Sequence, residues 1–356
     1  MQSISTKDVL RQLKADLIGK DSYRGVTLTY TWLANQFGHF SLGFIPTLIV
    51  YAIIKHNPAV HQPSVSAAFA VSITWLLFET YNFLGPLLLN KKSTSNHIFV
   101  PEKKYTFEPA WLNIAFDTIT DLSFFWLGAF SASLFLLHVP IVVHIIIALL
   151  LILIYPCHYW FLTKMYLQYA QYPVQFRLSQ WSDTMNDANK KVIEQFLDNK
   201  TEGKHLFVFG GRRCGKTLLS VGLATEFSIK HKNCCYTTAM KLYNLFSESE
   251  ADILKDDNAL WSWRTASLLV IDDINPGDPI NDIVTPAQFL TMLDCLTGCN
   301  NENRKIFKNE NVIWVMGNME DQETNCIDDW KQMLKTIGVN PDNILSVNLG
   351  FQNQSK

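Results

Sequence analysis

The chain has 356 residues, of which 48% are hydrophobic and 17% are charged, and its formal net charge is -2. Only ten charged residues lie among the 136 residues from 28 to 163, and the other 52 of 62 lie in the remaining 220. This division excludes a single water-soluble domain, a disordered chain and a secreted disulfide scaffold, and the near-neutral charge gives no support for nucleic-acid binding by bulk electrostatics.

The N-terminal tail, residues 1–27, has apolar side chains at helical spacing, with Leu10, Leu13 and Leu17 separated by charged residues. The spacing predicts a short amphipathic helix. Two placements stay open for this helix: it lies at a membrane surface, or it packs against a cytoplasmic domain.

Four apolar stretches in residues 28–163 are long enough to cross a bilayer, which takes about 20 residues. Most of the last two lies in one uncharged run of 42 residues, from Leu122 to Thr163. Such a run exceeds any bilayer core as a single helix, so we predict a turn near Pro140. The chain is thus predicted to contain an all-α transmembrane domain with spans at about 28–54, 64–89, 111–137 and 139–163.

Basic residues are concentrated on one side of the predicted membrane. The tail carries five, the loop between the second and third spans carries four, and the two loops on the other side carry only Lys55. The positive-inside rule then places both termini in the cytoplasm. We expect an integral membrane protein, located in the bacterial inner membrane.

Among the ionisable side chains inside the predicted spans, four are candidates for a function: His39, Glu79, Asp117 and Asp121. Such groups are costly in a membrane and suggest a function. One interpretation is an ion or proton path, or a sensor that opens one. The other is a set of interhelical hydrogen bonds that fixes packing, since no basic partner is visible within the spans.

A connector, residues 164–182, leads to a C-terminal domain, residues 183–356, of ordinary composition. Strand-like runs alternate there with helical patterns of 10–15 residues, which is typical of a parallel sheet with helices on both faces. The predicted fold class is therefore an α/β P-loop NTPase that follows a four-span helical membrane domain.

A phosphate-binding motif follows the first strand-like run, HLFVF, and opens a helix. Its glycines let backbone N–H groups curl around a β-phosphate at the positive end of that helix. The lysine would bridge the β- and γ-phosphates, and the threonine hydroxyl would ligate Mg²⁺. The predicted nucleotide-binding residues are Gly210, Gly211, Arg212, Arg213, Cys214, Gly215, Lys216, Thr217 and Leu218.

Two further strand-like runs end in polar residues. SLLVI is followed by Asp272 and Asp273, and VIWVMG is followed by Asn318. Asp272 is predicted to hold Mg²⁺ together with Thr217, and Asp273 to orient the attacking water. In a P-loop sheet the Asn318 strand lies between the other two, so its amide is expected to face the γ-phosphate or the water.

These three motifs resemble those of the AAA+ ATPases, in particular the initiator group that includes DnaA, DnaC and IstB. The resemblance covers residues 183–351 and implies ATP and Mg²⁺ as cofactors, a homo-oligomer and a protein partner. It assigns catalysis to Lys216, Asp273 and Asn318. The chain departs from the family pattern after the sensor strand, since no arginine follows Arg304 and the helical lid is missing; Arg304 or Arg264 could serve as the arginine finger.

Three functions are compatible with these patterns. The first is a membrane-anchored ATPase that recruits or remodels a partner complex at the cytoplasmic face, where a nucleoprotein partner stays possible without support from the net charge. The second is a nucleotide-gated membrane effector or channel, for example in bacterial defence. The third is a viral superfamily-3-like helicase.

Overall fold

The chain divides into two compact units in a computed structural model. One unit comprises Ser5–Tyr105 and Pro109–Met165, and the other comprises Met1–Ile4, Thr106–Glu108 and Tyr166–Lys356. They are called the helical unit and the sheet unit below. The structure describes residues 3–18, 27–91, 106–181, 185–198, 202–246, 248–256, 259–274, 284–294, 300–318 and 324–350.

The helices of the helical unit are long and apolar. Within the described residues, four of them are long and apolar enough to cross a membrane. The last continues past Thr163, where the connector was expected to begin, and the Lys164 ammonium lies over the Trp160 ring, 5.2 Å from its centroid. The helices are α1 Thr6–Ile18, α2 Leu28–Ile54, α3 Pro63–Lys91, α4 Trp111–Leu136 and α5 Pro140–Tyr169.

Helix α1 is joined to the start of α2 by a buried carboxylate. Asp16 accepts hydrogen bonds from the Thr29 hydroxyl at 2.8 Å and from the Thr29 backbone N–H at 3.2 Å. Leu10 and Leu17 remain exposed on the surface of the helix. The expected amphipathic helix is therefore present.

Helices α2 and α4 approach each other closely at two glycines. A Cβ atom at Gly43 would lie 1.9 Å from the Phe125 carbonyl oxygen, and one at Gly128 would lie 2.0 Å from the Phe40 carbonyl oxygen. Only glycine fits at such a crossing, because the obstacles are backbone atoms. Nearby, the Trp75 ring of α3 stacks on Phe125 with a centroid separation of 4.0 Å.

The sheet unit is built on five parallel strands in the order β2-β3-β4-β1-β5. The predicted parallel sheet is confirmed, and β4 lies between β1 and β3 as expected for a P-loop sheet. Each strand alternates between the two faces, as a buried parallel strand does. The strands are β1 His205–Gly210, β2 Cys234–Thr238, β3 Leu268–Ile274, β4 Asn311–Asn318 and β5 Ile344–Asn348.

Helices cover both faces of the sheet, as predicted. One apolar cluster contains Phe207 and Trp314 with residues of α8, α10 and α12, and the other contains Leu206 and Val208 with residues of α6 and α7. The helices are α6 Asp187–Leu197, α7 Lys216–Ile229, α8 Ala239–Leu245, α9 Glu250–Asp256, α10 Pro286–Asp294, α11 Asn300–Asn309 and α12 Thr324–Ile337.

A fully buried histidine at the start of β1 is hydrogen-bonded at both ring nitrogens. The Trp314 indole N–H donates to His205 Nδ1 at 3.0 Å, so His205 Nε2–H donates to the Phe307 carbonyl oxygen at 2.8 Å. Burial lowers the pKa of His205 to about 4. The imidazole is therefore neutral in the folded protein near neutral pH.

Candidate nucleotide-binding site

The loop between β1 and α7 turns sharply through residues with positive φ. These are Gly210 at 146°, Arg213 at 64° and Gly215 at 85°, and Gly215 is the N-cap of α7. Positive φ is costly for most side chains, which explains glycine at both ends of the loop. The turn leaves the N-terminal N–H groups of α7 directed at the loop, where an anion is favoured.

Lys216, the first residue of α7, folds back over the loop. Its ammonium donates to the carbonyl oxygens of Gly210 at 3.0 Å and Gly211 at 2.9 Å. Burial lowers the pKa of Lys216, while Cys214 and the Asp272 carboxylate act in the opposite direction. Lys216 therefore interacts both with the loop and with the carboxylate at the end of β3.

The other predicted loop residues differ in exposure. Arg212 and Arg213 are exposed, whereas Cys214 and Thr217 are half-buried. Leu218, in the first turn of α7, has 40% of its surface exposed. An apolar side chain at that position is available for contact with a planar group.

Asp272 is buried at the end of β3, and both of its carboxylate oxygens accept hydrogen bonds. The Asp273 backbone N–H donates to Oδ1 at 2.7 Å, and the Tyr236 hydroxyl donates to Oδ2 at 2.7 Å. Burial and the hydrogen bond to Asp272 raise the pKa of Tyr236. Tyr236 is thus a neutral donor that fixes the orientation of the carboxylate.

Asp273 has an unusual backbone for a residue other than glycine, with φ of 55°. The register between β3 and β4 shifts between Ile271 and Ile274, so Asp273 lies in an irregularity that turns its side chain outward. Partial burial and the neighbouring Asp272 carboxylate raise the pKa of Asp273. Strained backbone of this kind is concentrated at functional sites.

The predicted motifs converge on one edge of the sheet. In the β1–β4 register Gly210 is aligned with Asn318, and β4 separates β1 from β3. Gly210, Asn318 and Asp272 therefore mark the carboxyl ends of three adjacent strands. The Asn318 side chain lies outside the described part of the structure.

Trp181, which the sequence patterns did not indicate, contacts the loop. A Cβ atom at Gly215 would lie 2.9 Å from Cη2 of the Trp181 ring, so the indole packs directly on this glycine. The ring is buried, and its Nε1 has no hydrogen-bond partner. Tyr236 was also missed, because its role depends on the pairing of β2 with β3. No signal in the sequence points to either residue.

The two arginines considered as arginine fingers are both engaged within the chain. Arg264 lies over the Trp263 ring at 4.5 Å and 3.8 Å from the Glu250 carboxylate, and Arg304 forms a two-point ion pair with Asp294. Among the described residues, no group of three or more His, Cys, Asp or Glu side chains could hold a metal ion.

Comparisons with known proteins do not assign this chain to a family. No family model matches it, and no curated protein matches it. One matching solved structure is described as the crystal structure of the DnaI; it is 16% identical, the match covers 49% of this chain and 90% of the DnaI chain, and the TM-score is 0.31. At this identity and TM-score, nothing further is inferred from the likeness.

Proposed function

We propose that the chain is a membrane-anchored ATPase that binds and hydrolyses ATP with Mg²⁺ and recruits or remodels a partner complex at the cytoplasmic face. The observation that carries the proposal is the electrostatic interaction of Lys216 with Asp272 at the carboxyl edge of the sheet, beside a loop of left-handed residues. A cation, a buried carboxylate and a helix N-terminus together suit a nucleotide triphosphate and its metal.

The geometry of the loop fits a phosphate chain. Backbone N–H groups between Gly211 and Thr217 would donate to the β-phosphate, and Lys216 would exchange its two carbonyl partners for β- and γ-phosphate oxygens. The Leu218 side chain and the Trp181 ring border the same turn of α7 and the loop before it. Arg212 and Arg213 are exposed and could meet further phosphate oxygens or a neighbouring subunit.

Hydrolysis would depend on the two aspartates and the asparagine. Thr217 and Asp272 would hold Mg²⁺, which neutralises charge that develops on the phosphates. Asp273 would accept a proton from the attacking water, and its raised pKa matches that task better than an ordinary carboxylate does. Asn318 would orient the same water from the end of β4.

The four apolar helices support anchoring in a membrane. The basic residues of the tail and of the segment between the second and third spans support a cytoplasmic location for both termini. The resemblance to AAA+ ATPases supports a homo-oligomer acting on a protein partner. Since Arg264 and Arg304 are paired internally, an exposed arginine such as Arg212 or Arg213 is the better candidate for contact with a neighbouring subunit.

A second candidate is a nucleotide-gated effector or channel, and one observation favours it. His39 of α2 lies 3.2 Å from Asp121 of α4, between helices that would lie in the membrane. Ionisable side chains at that depth are costly and mark ion pathways and proton relays. Ion flux into liposomes that depends on ATP, and that Asp121→Asn abolishes, would favour this candidate over the first.

The test of the ATPase is phosphate release by the full-length protein in detergent. Lys216→Ala should lower turnover at least about 100-fold and weaken ATP binding, whereas Asp273→Asn should lower turnover similarly and leave binding within a few-fold. Lys230→Ala, at the other end of α7, is the matched control and should behave as wild type. Normal turnover in Lys216→Ala would contradict the proposal.

A further inference from the structure

Ionisable side chains from three helices meet near the middle of the helical unit. His39 is the twelfth of the 27 residues of α2, Glu79 the seventeenth of the 29 residues of α3, and Asp121 the eleventh of the 26 residues of α4. At 1.5 Å per residue these positions lie at similar depth along the helices. Ionisable groups at that depth are the most costly in a bilayer.

His39 and Asp121 form a pair without full hydrogen bonding. The distance from His39 Nε2 to Asp121 Oδ1 is 3.2 Å, yet Asp121 Oδ1 and His39 Nδ1 are both buried and have no hydrogen-bond partner. The Asn35 amide nitrogen lies 3.4 Å from the same Nε2 atom. His39 Nε2 can donate to an ionised Asp121 carboxylate when it carries a proton, or accept from a protonated Asp121 carboxyl when it does not, so the position of one proton decides the bonding of the pair.

Gln36 provides a second, independent observation. Its side chain is 97% buried, since only 3% is exposed, and neither amide atom has a hydrogen-bond partner. Gln36 lies two turns before Gly43 on the face of α2 that contacts α4 at Phe125, which places it level with the turn that carries Asp121. An unpartnered amide buried there is destabilising unless something polar binds to it.

The surrounding charges are unbalanced. The carboxyls of Glu79 on α3 and Asp117 on α4 both interact electrostatically with Asp121, and the charge that opposes them is the Lys164 ammonium of α5. Three ionised carboxylates against one ammonium would leave excess negative charge among apolar helices. Retention of a proton relieves this excess without a further basic side chain.

We propose that His39 and Asp121 form a proton-binding site in which the imidazole and the carboxyl share one exchangeable proton. The charged groups that interact with the pair are Glu79 and Asp117 and, with opposite sign, Lys164, and Gln36 is the buried amide one turn before His39 on α2. The inference concerns the helical unit alone and does not rest on the ATPase activity.

The first measurement is infrared spectroscopy of the full-length protein in detergent, titrated from about pH 5 to about pH 8, the range in which histidine changes charge. Wild type should show the C=O band of a protonated carboxyl that titrates within this range, and Asp121→Asn should lack it. The same band in both proteins, or in neither, would overturn the proposal.

The second measurement tests the sharing of the proton. His39→Gln should move the midpoint of the Asp121 band to higher pH by about one unit or more, because no imidazolium then stabilises the carboxylate. Asn35→Ala is the matched control, since it removes a neighbour of His39 that does not titrate, and should shift the midpoint less. An unchanged midpoint in His39→Gln would contradict a shared proton, because a merely structural histidine would not set the titration of another residue.

A hydrophobic carbodiimide checks the assignment by chemistry. Dicyclohexylcarbodiimide adds to a protonated carboxyl, whose proton moves to the reagent nitrogen, and no atom leaves. Peptide mass spectrometry should find the adduct on Asp121, with labelling that falls as the pH rises through the infrared midpoint. Labelling that does not depend on pH would count against the site. An unchanged far-ultraviolet circular dichroism spectrum and melting temperature in each variant would show that the protein is folded.

Discussion

Buried ionisable side chains are treated differently in the two units. In the sheet unit, Lys204 donates to the carbonyl oxygens of Gln195 and Asp198, and His205 and Asp272 each use both of their polar atoms. The unpartnered buried atoms there belong mostly to neutral groups such as the indoles of Trp263 and Trp330. Paired polar groups of this kind fix one arrangement of the fold.

In the helical unit, by contrast, buried polar atoms of His39, Asp121 and Gln36 have no hydrogen-bond partner. They are His39 Nδ1, Asp121 Oδ1 and both amide atoms of Gln36. A carboxylate or amide that lacks a partner away from water is destabilising, and nothing in the packing of α2 on α4 requires one. The difference indicates that the buried polar groups of the sheet unit serve structure and the proposed nucleotide site, whereas the unpartnered atoms between α2 and α4 belong to the proposed proton-binding site.

The largest expected effect is on the pH dependence of stability, and it concerns His205, the fully hydrogen-bonded histidine of the sheet unit. His205 has its folded pKa lowered to about 4 and an unfolded pKa of about 6.5, so only the unfolded chain takes up this proton between those values. The neutral imidazole of His205 contributes about 3 kcal/mol to the free energy of unfolding above about pH 6.5. This contribution is lost as the pH falls towards 4. Denaturant unfolding of wild type and His205→Gln across this range should give a shallower pH dependence for the variant. Equal slopes would disprove this prediction.

A smaller effect is expected where α2 crosses α4. Gly43→Ala should destabilise the helical unit by about 2 kcal/mol or more, because the new methyl group would meet the Phe125 backbone. Gly38→Ala is the matched control on the same helix, where no atom lies within 4 Å of the added Cβ, and should be neutral or stabilising by up to about 1 kcal/mol. Thermal unfolding in detergent measures both. Similar melting temperatures would show that the crossing is looser than described.

The Tyr236 hydroxyl offers a test of pairing within the nucleotide site. Tyr236→Phe removes the donor to Asp272 Oδ2 and should raise the Mg²⁺ concentration needed for half-maximal ATP binding and turnover about tenfold. Tyr243→Phe on α8 serves as the control and should leave the Mg²⁺ dependence as in wild type. A lower turnover with an unchanged Mg²⁺ dependence would mean that Tyr236 does not act through the metal ligand.

The smallest expected effect is on the free energy of unfolding, measured for one variant in each unit. Gln36→Leu should stabilise the helical unit by about 1 kcal/mol, because it removes an unpartnered buried amide. Trp314→Phe in the sheet unit should have the opposite sign, since it leaves His205 Nδ1 without its donor. Chemical unfolding of the two variants gives the comparison. Destabilisation by Gln36→Leu would indicate that the amide has a partner after all.

Local patterns predicted the long helices and the phosphate loop, because hydropathy and the glycine–lysine spacing are read from neighbouring residues. The polar ends of β3 and β4 were predictable for the same reason. The His39–Asp121 pair was not, since it depends on which faces of two distant helices meet. The Tyr236–Asp272 hydrogen bond likewise depends on the register of two strands. The end of α5 was also not predicted: the helix continues beyond Lys164 because a long ammonium side chain can extend along a helix without ending it.

The left-handed backbone of Asp273 has a consequence for natural variation. Aspartate, asparagine and glycine are the residues that tolerate this conformation, and single-base changes convert an aspartate codon into either of the other two. Glutamate is also one base away and keeps a carboxylate, but it enters this conformation less readily. With the role proposed for Asp273, a single mutation would therefore yield a folded chain that binds nucleotide without hydrolysing it.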